Sequence, residues 1–359
     1  MAKIIASLYG WVDSRLGLED ILKFAKKKTV PVHKHSFWYY WGGISLFFFI
    51  VQALTGVLLL VYYRPGPDAY ESVRQITYEI HFGWLIRSAH SWSANLMVAS
   101  VFIHMFSVYF MKAYRAPREF GWWSGMVLLI ITLLFGFSGY LLPMDDLAYF
   151  ATKVGLEIPN ALPIIGEPMT NLFRGGLEVG ELTVQRFFAL HVVVMPALFL
   201  PILVFHLWLV QKHGNATLPS EAEKPKSEQK SIPFFPNFLM NDLAMWLIAL
   251  NVMALFASMF PWDLGEVADP LKPAPTGIHP EWYFMSAFQL LKIMGNLFPG
   301  ALGEGLGISI FTLGLLLWTF IPLYDGKHEK GRRARNATYF GLLALGVFAI
   351  TTIWGYMVL

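Results

Sequence analysis

Two histidines, His90 and His104, stand fourteen positions apart in an apolar run that ends near Met111. In a helix rising 1.5 Å per residue the interval spans about 21 Å, and fourteen steps of about 100° come within about 40° of whole turns, so both imidazoles share one face. A second apolar run, Phe187 to Val210, repeats the device with His191 and His206 fifteen apart, about 22 Å of rise and within about 60° of whole turns. Side by side, two such helices present two imidazole pairs at two depths. A single intramembrane histidine is ordinarily a helix-helix hydrogen bond or a proton relay. Four in two matched pairs are explained together, in number, depth and face, by bis-imidazole ligation of two b-type haems.

Composition agrees with a bilayer setting. Of 359 residues 56% are hydrophobic and only 14% charged, with a mean hydropathy of +0.51, far from an ordinary soluble domain. Seven apolar runs are long enough to span: roughly Trp38 to Val61, His90 to Met111, Trp122 to Leu142, Phe187 to Val210, Leu243 to Phe260, Leu306 to Leu323 and Tyr339 to Leu359. The expected fold is an all-α integral membrane protein, a four-helix haem-binding bundle followed by three further transmembrane helices. In a serpentine, the second and fourth runs are parallel, so first histidine faces first and second faces second.

Lys and Arg set the orientation. Residues 1–36, 112–121, 211–242 and 324–338 hold 19 of the 27, and the alternate loops share eight. The dense set marks the cytoplasmic n side, with the amino terminus there and the carboxyl terminus on the opposite p side. His90 and His191 then lie toward the p side, His104 and His206 toward the n side. The formal charge of +3 follows from this loop bias and does not point to nucleic acid. Met1 to His35 lacks the apolar core of a cleavable signal and reads as an amphipathic surface helix on the cytoplasmic interface.

Glycines repeat the histidine interval. Gly42 and Gly56 in the first run, and Gly125 and Gly139 in the third, are each fourteen apart. A helix lacking side chains at those levels lets a flat macrocycle approach its backbone. Small-residue helix packing is the plainer account and suffices for Gly43 or Gly136. The chain has no cysteine, so it can supply neither thiolate ligands nor a thioether-bound haem.

Several runs together resemble cytochrome b of the bc1/b6f quinol-oxidising complexes: Trp41-Gly42-Gly43-Ile44-Ser45-Leu46, Phe82-Gly83-Trp84-Leu85-Ile86-Arg87-Ser88-Ala89-His90, Phe135-Gly136-Phe137-Ser138-Gly139-Tyr140-Leu141-Leu142-Pro143, Leu162-Pro163-Ile164-Ile165-Gly166 and Pro280-Glu281-Trp282-Tyr283. The resemblance covers nearly the whole chain. It divides into a b6-like part over 1–213, a polar linker over 214–235 and a subunit IV-like three-helix region over 236–359. It implies a respiratory or photosynthetic complex of a bacterial cytoplasmic membrane, in which quinol is oxidised at a p-side site and its two electrons part company. One goes to a Rieske iron-sulfur protein and on to a cytochrome c-type acceptor; the other crosses through two b-type haems to reduce membrane quinone on the n side, with proton translocation. A homodimer of the complex is the family expectation.

Within that resemblance, the long connection Pro143 to Glu181 implies two short helices roofing the quinol site, and the proline-interrupted chain through Pro270, Pro273, Pro275 and Pro280 its opposite wall. Glu281 is the candidate proton acceptor, with a helix cap as its plainer role. Tyr283 is a candidate for positioning quinol, or an interfacial aromatic anchor. Arg87 and Arg118 are candidate partners for haem propionates. Asp242, His213 and Gln211 are candidates at the n-side quinone site, with Lys212 nearby. Two departures from b6 stand out: Tyr40 replaces the cysteine that tethers an extra haem, and Gln211 replaces an arginine. Two other readings stay open on the residues alone. A two-haem anchor of a dehydrogenase or hydrogenase has no use for Pro280 to Tyr283, and a histidine-containing transporter has no b-type absorption.

Overall fold

The computed structural model describes residues 2–160, 166–275, 277–298, 300–325 and 332–358. Residues 162–165 of the Leu162 to Gly166 motif lie outside the described residues. The chain opens with α1 (Ala2–Leu16) and α2 (Leu18–Lys27). Between them Gly17 takes a left-handed conformation, φ +62, which glycine adopts without steric cost. The one surface helix expected over this stretch is therefore two, and a strand, β1 (Thr29–Val32), follows.

Next come α3 (Tyr40–Leu60), α4 (Ala69–Tyr78), α5 (Gly83–Phe110), α6 (Glu119–Tyr140), α7 (Asp146–Asn160), α8 (Gly166–Arg174), α9 (Glu181–Ala189), α10 (Met195–His213) and α11 (Pro219–Ala222). After β2 (Lys230–Pro233) follow α12 (Leu239–Met259), α13 (Trp282–Leu297), α14 (Ala301–Thr319), α15 (Ile321–Tyr324) and α16 (Arg332–Met357). Among the described residues seven helices are long and apolar enough to cross a membrane: Ser36–Leu60, Gly83–Phe110, Glu119–Tyr140, Glu181–His213, Phe234–Met259, Leu302–Thr319 and Arg335–Met357. These are the seven expected, with ends moved by up to nine residues, the largest shift taking the start of the fifth from Leu243 back to Phe234. Leu54, Val57, Val204, Leu247 and Ile350 point outward, as side chains facing hydrocarbon rather than water would.

α3 packs along α5 and α6 along α10, and α12 closes on the α3/α5 pair. Their shared core holds Ile44 and Phe48, Ala89 and Met97, Leu128 and Ile131, Met195 and Phe199, with Ala249, Met253 and Ala257 from α12. At the end carrying the basic loops, Tyr109 stacks on Trp318 at 4.0 Å. Beside it Arg115 makes a buried ion pair with Asp325 at 2.9 Å, which also accepts from the Tyr114 hydroxyl. The α5–α6 turn is thereby tied to the α14–α15 corner. The stretch expected to be a plain polar linker is held as well, because β2 pairs antiparallel with β1, Thr29 opposite Pro233.

α9 and α10 form one continuous span through a π-helical turn over Leu190–Val194. The cause is local: Pro196 has no N–H to offer the carbonyl four residues back, and Met195 N–H instead reaches the Leu190 carbonyl, five back. A π turn takes up one residue more than an α turn. That resolves the unequal intervals, since fifteen residues through a π turn bring His206 to the level and face that fourteen give on α5.

Candidate functional site

The imidazoles pair across the bundle. His90 of α5 and His191 of the α9–α10 span face each other with ring centroids 6.3 Å apart and planes at 70°. Two imidazole-to-metal bonds of about 2.0–2.1 Å in line, plus roughly 1.1 Å from each donor nitrogen to its ring centre, require about 6.3 Å. The separation suits one metal ion held between two axial ligands. His104 and His206 make the corresponding pair at the other end, His206 being the titratable neighbour that acts on His104. Among the described residues no three His, Asp or Glu side chains converge as a metal cluster.

Each glycine of the repeated interval lies against one of these rings. A Cβ on Gly42 would come within 3.0 Å of His104, on Gly56 within 3.4 Å of His90, on Gly125 within 3.3 Å of His206 and on Gly139 within 2.7 Å of His191. Each of these glycines thus lies against the edge of an imidazole. Repeating glycines and repeating histidines share a period because each gap admits one ring.

Hydroxyls next to those glycines orient the rings. Thr55 Oγ1 donates to the Val51 carbonyl at 2.7 Å and lies 2.8 Å from His90 Nδ1. With its own proton committed, the oxygen accepts from Nδ1–H, which leaves Nε2 a free lone pair. Ser124 repeats this, donating to Gly121 and meeting His206 Nδ1 at 2.9 Å. Ser138 donates to Phe135 and meets His191 Nδ1 at 3.2 Å. Trp41 takes the fourth such position, and His104 Nδ1 has no hydrogen-bond partner among the described residues. Orienting partners of this kind accompany metal-bound histidine generally. Sequence reading passed over Thr55, Ser124 and Ser138, although a hydroxyl residue precedes three of the four glycines.

At the His90 end, no helix forms among the described residues between Met259 and Trp282, as the prolines foretold. This chain is fastened to the bundle by Trp92 Nε1, donating to Phe260 O at 2.7 Å, and by the Asp146 amide, donating to Glu266 O at 2.9 Å. Arg87, expected near a propionate, donates to the carbonyls of Trp262 and Asp263 at 2.6 and 3.1 Å. α7 and α8 lie over the same end, sharing a core with Ala268 and Ile278.

Glu281 stands at the N-cap position of α13, where its side chain makes no capping hydrogen bond and its carbonyl accepts from the Phe284 N–H at 2.8 Å. Burial raises its carboxyl pKa, partly offset by His279. Tyr283 is buried, its phenol pKa also raised by burial, and its hydroxyl fills the space at Gly136 where a Cβ would stand. Tyr140, beside Gly139, lies within electrostatic reach of both. A protonatable carboxylate and two phenols therefore converge next to the His90 pair.

At the other end the Asp242 carboxylate packs against Gly43, one residue from the glycine that faces His104, and its Oδ1 is buried with no hydrogen-bond partner among the described residues. Gln211 uses its carbonyl to accept from Lys28 Nζ at 2.6 Å. Arg118 donates to the His213 carbonyl at 3.1 Å and the Gly214 carbonyl at 3.4 Å. Tyr40 stacks on Phe238 at 4.9 Å and 16°.

Known proteins resemble this chain in sequence and in fold. Residues 25–214 match the family model described as cytochrome b/b6/petB, and 267–358 the one described as cytochrome b(C-terminal)/b6/petD. A cytochrome bc complex cytochrome b subunit of Chlorobaculum thiosulfatiphilum is 48% identical over 347 residues, 96% of this chain and 79% of that protein. Cytochrome b6 of Rippkaea orientalis is 42% identical over 208 residues, 58% of this chain and 93% of its own. A solved chain of a hyperthermophilic respiratory Complex III superposes with a TM-score of 0.80 at 27% identity, covering 97% of this chain and 98% of that one. Facing histidines on the second and fourth spans and continuous similarity through both halves have one common meaning: the chain belongs to the cytochrome b/b6 family, as the integral-membrane cytochrome b subunit of a bc-type quinol oxidoreductase complex.

Proposed function

We propose that His90 with His191, and His104 with His206, each hold one b-type haem, and that the chain oxidises quinol beside the first pair and returns an electron to quinone beside the second. The observation that carries this is the orientation of the rings, with Nδ1 of three imidazoles donating to a hydroxyl and Nε2 left for iron. When bound, the two haems supply a one-electron relay through the bilayer. The protein residues do the rest. Glu281 accepts a proton from quinol, Tyr283 and Tyr140 orient its hydroxyl, and α7, α8 and the chain after α12 keep water out.

The basic loops place the amino terminus in the cytoplasm of a bacterial cell and the carboxyl terminus on the p side. Asp242, with His213 and Gln211 at the neighbouring end of α10, is the proposed quinone-reducing site. Arg87 and Arg118 retain N–H groups for propionates. The chain holds no cysteine with which to bind an iron-sulfur cluster or tether a haem, so a Rieske protein and a cytochrome c-type subunit complete the reaction in a homodimeric assembly. The 1–213 and 236–359 parts act as haem-binding bundle and quinol-site frame, joined through 214–235.

The purified complex is expected to show a reduced-minus-oxidised b-type band equivalent to two haems per copy of this chain. A stoichiometry of zero or one overturns the reading. Thr55→Val tests the ring orientation. Losing the acceptor lowers the basicity of the His90 imidazole and favours ferrous over ferric iron, so redox titration should show one midpoint raised by about 30–60 mV with haem content unchanged. An unmoved midpoint would deny Thr55 that role.

A further inference from the structure

The residue between Glu281 and Tyr283 is anchored to the haem-bearing side of the molecule. Trp282 Nε1 donates to Asn95 Oδ1 of α5 at 2.9 Å. The Asn95 amide is fixed from behind, because its Nδ2 donates to the Ser91 carbonyl one turn back at 3.1 Å. An indole only donates, so the geometry is complementary with no alternative orientation of the amide. The indole also leans on Phe102, centroids 6.1 Å apart. Asn95 and Phe102 are seven residues apart and share a helix face, while Asn95 lies about 140° around the helix from His90. α5 thus presents imidazoles on one side and a socket for Trp282 on another.

The socket ties the first turn of α13 to α5, while one turn further on Ser286 bonds Thr351 of α16 at 2.7 Å. Glu281 makes no side-chain capping bond, and its carbonyl accepts from the Phe284 N–H within the same turn at 2.8 Å. Tyr283 reaches the opposite wall at Gly136. Turning about Trp282 would carry Glu281 and Tyr283 in step.

We propose that Asn95 is a positioning residue for quinol oxidation: its carboxamide oxygen holds the Trp282 indole and thereby fixes where Glu281 and Tyr283 stand in the quinol pocket. This rests on the quinol-site reading given above. Asn95→Leu and Trp282→Phe each delete the bond while keeping apolar bulk. The Asn95→Asp side chain, neutral when buried, keeps an acceptor for the indole and a donor for Ser91.

The test uses the assembled complex in membranes. Both deletions are expected to lower kcat/KM for quinol about tenfold, misplacement of a reacting group being costly. The double variant should fall no further, since both remove the same bond, and Asn95→Asp should recover most of the rate. Amide hydrogen exchange in 278–290 should quicken in the deletion variants while the b-type band stays at the wild-type amplitude. Wild-type rates and exchange in Asn95→Leu, or additive losses in the double variant, would overturn the role of Asn95. Should Asn95→Leu fail to assemble, Trp282→Phe, which removes only the N–H partner, decides by the same readouts. Wild-type complex unable to oxidise quinol would instead sink the pocket reading itself.

Discussion

In His191→Leu the b-type band is expected to fall to about half, and quinol oxidation to below roughly a thousandth of the wild-type rate. Leucine fills a similar volume and suits a membrane helix, so the α9–α10 span should still insert and pack. If His90 and His191 hold a haem as proposed, the substitution removes one of its two protein ligands, and His90 alone would not retain it. Gly139 would keep its gap and Ser138 its bond to Phe135, so the neighbouring helix has no reason to move. A haem held by His104 and His206 would titrate near its wild-type potential. If these histidines served only to bond Thr55 and Ser138, the substitution would leave the optical spectrum untouched. That outcome would refute ligation outright.

Much of this was legible because helical geometry turns residue intervals into positions. Two imidazoles fourteen apart must share a face, and two glycines fourteen apart must leave gaps at the same two levels. The fifteen-residue interval on the partner helix was harder, since its register depends on a π turn that Pro196 imposes and that periodicity alone cannot show. The glycines were read as room for a macrocycle; that each also meets an imidazole edge depends on how α3 and α6 pack against α5 and α10, which intervals do not state. Arg87 illustrates the general limit. Its guanidinium bonds the carbonyls of Trp262 and Asp263, about 175 positions further on, contacts that no interval along the chain can show. Asn95 was invisible for the same reason, because its partner belongs to another helix entirely.

Glu281→Gln should slow quinol oxidation about a hundredfold while leaving both haems in place. The amide is nearly isosteric and still hydrogen-bonds quinol, so binding survives and proton acceptance does not. The pH profile separates those two contributions. Burial favours the neutral carboxyl and raises the Glu281 pKa, and only the ionised form can take a proton. The wild-type rate should therefore climb as pH rises through a midpoint above the ordinary glutamate value of about 4.3, and the variant should lose that limb. His279 works against the shift, since a positive imidazole nearby favours the carboxylate. Replacing His279 by leucine should accordingly move the limb to higher pH. Turnover unchanged in Glu281→Gln, or a rising limb that persists without the carboxylate, would place proton acceptance on another group, with Tyr140 and Tyr283 the next to be tested.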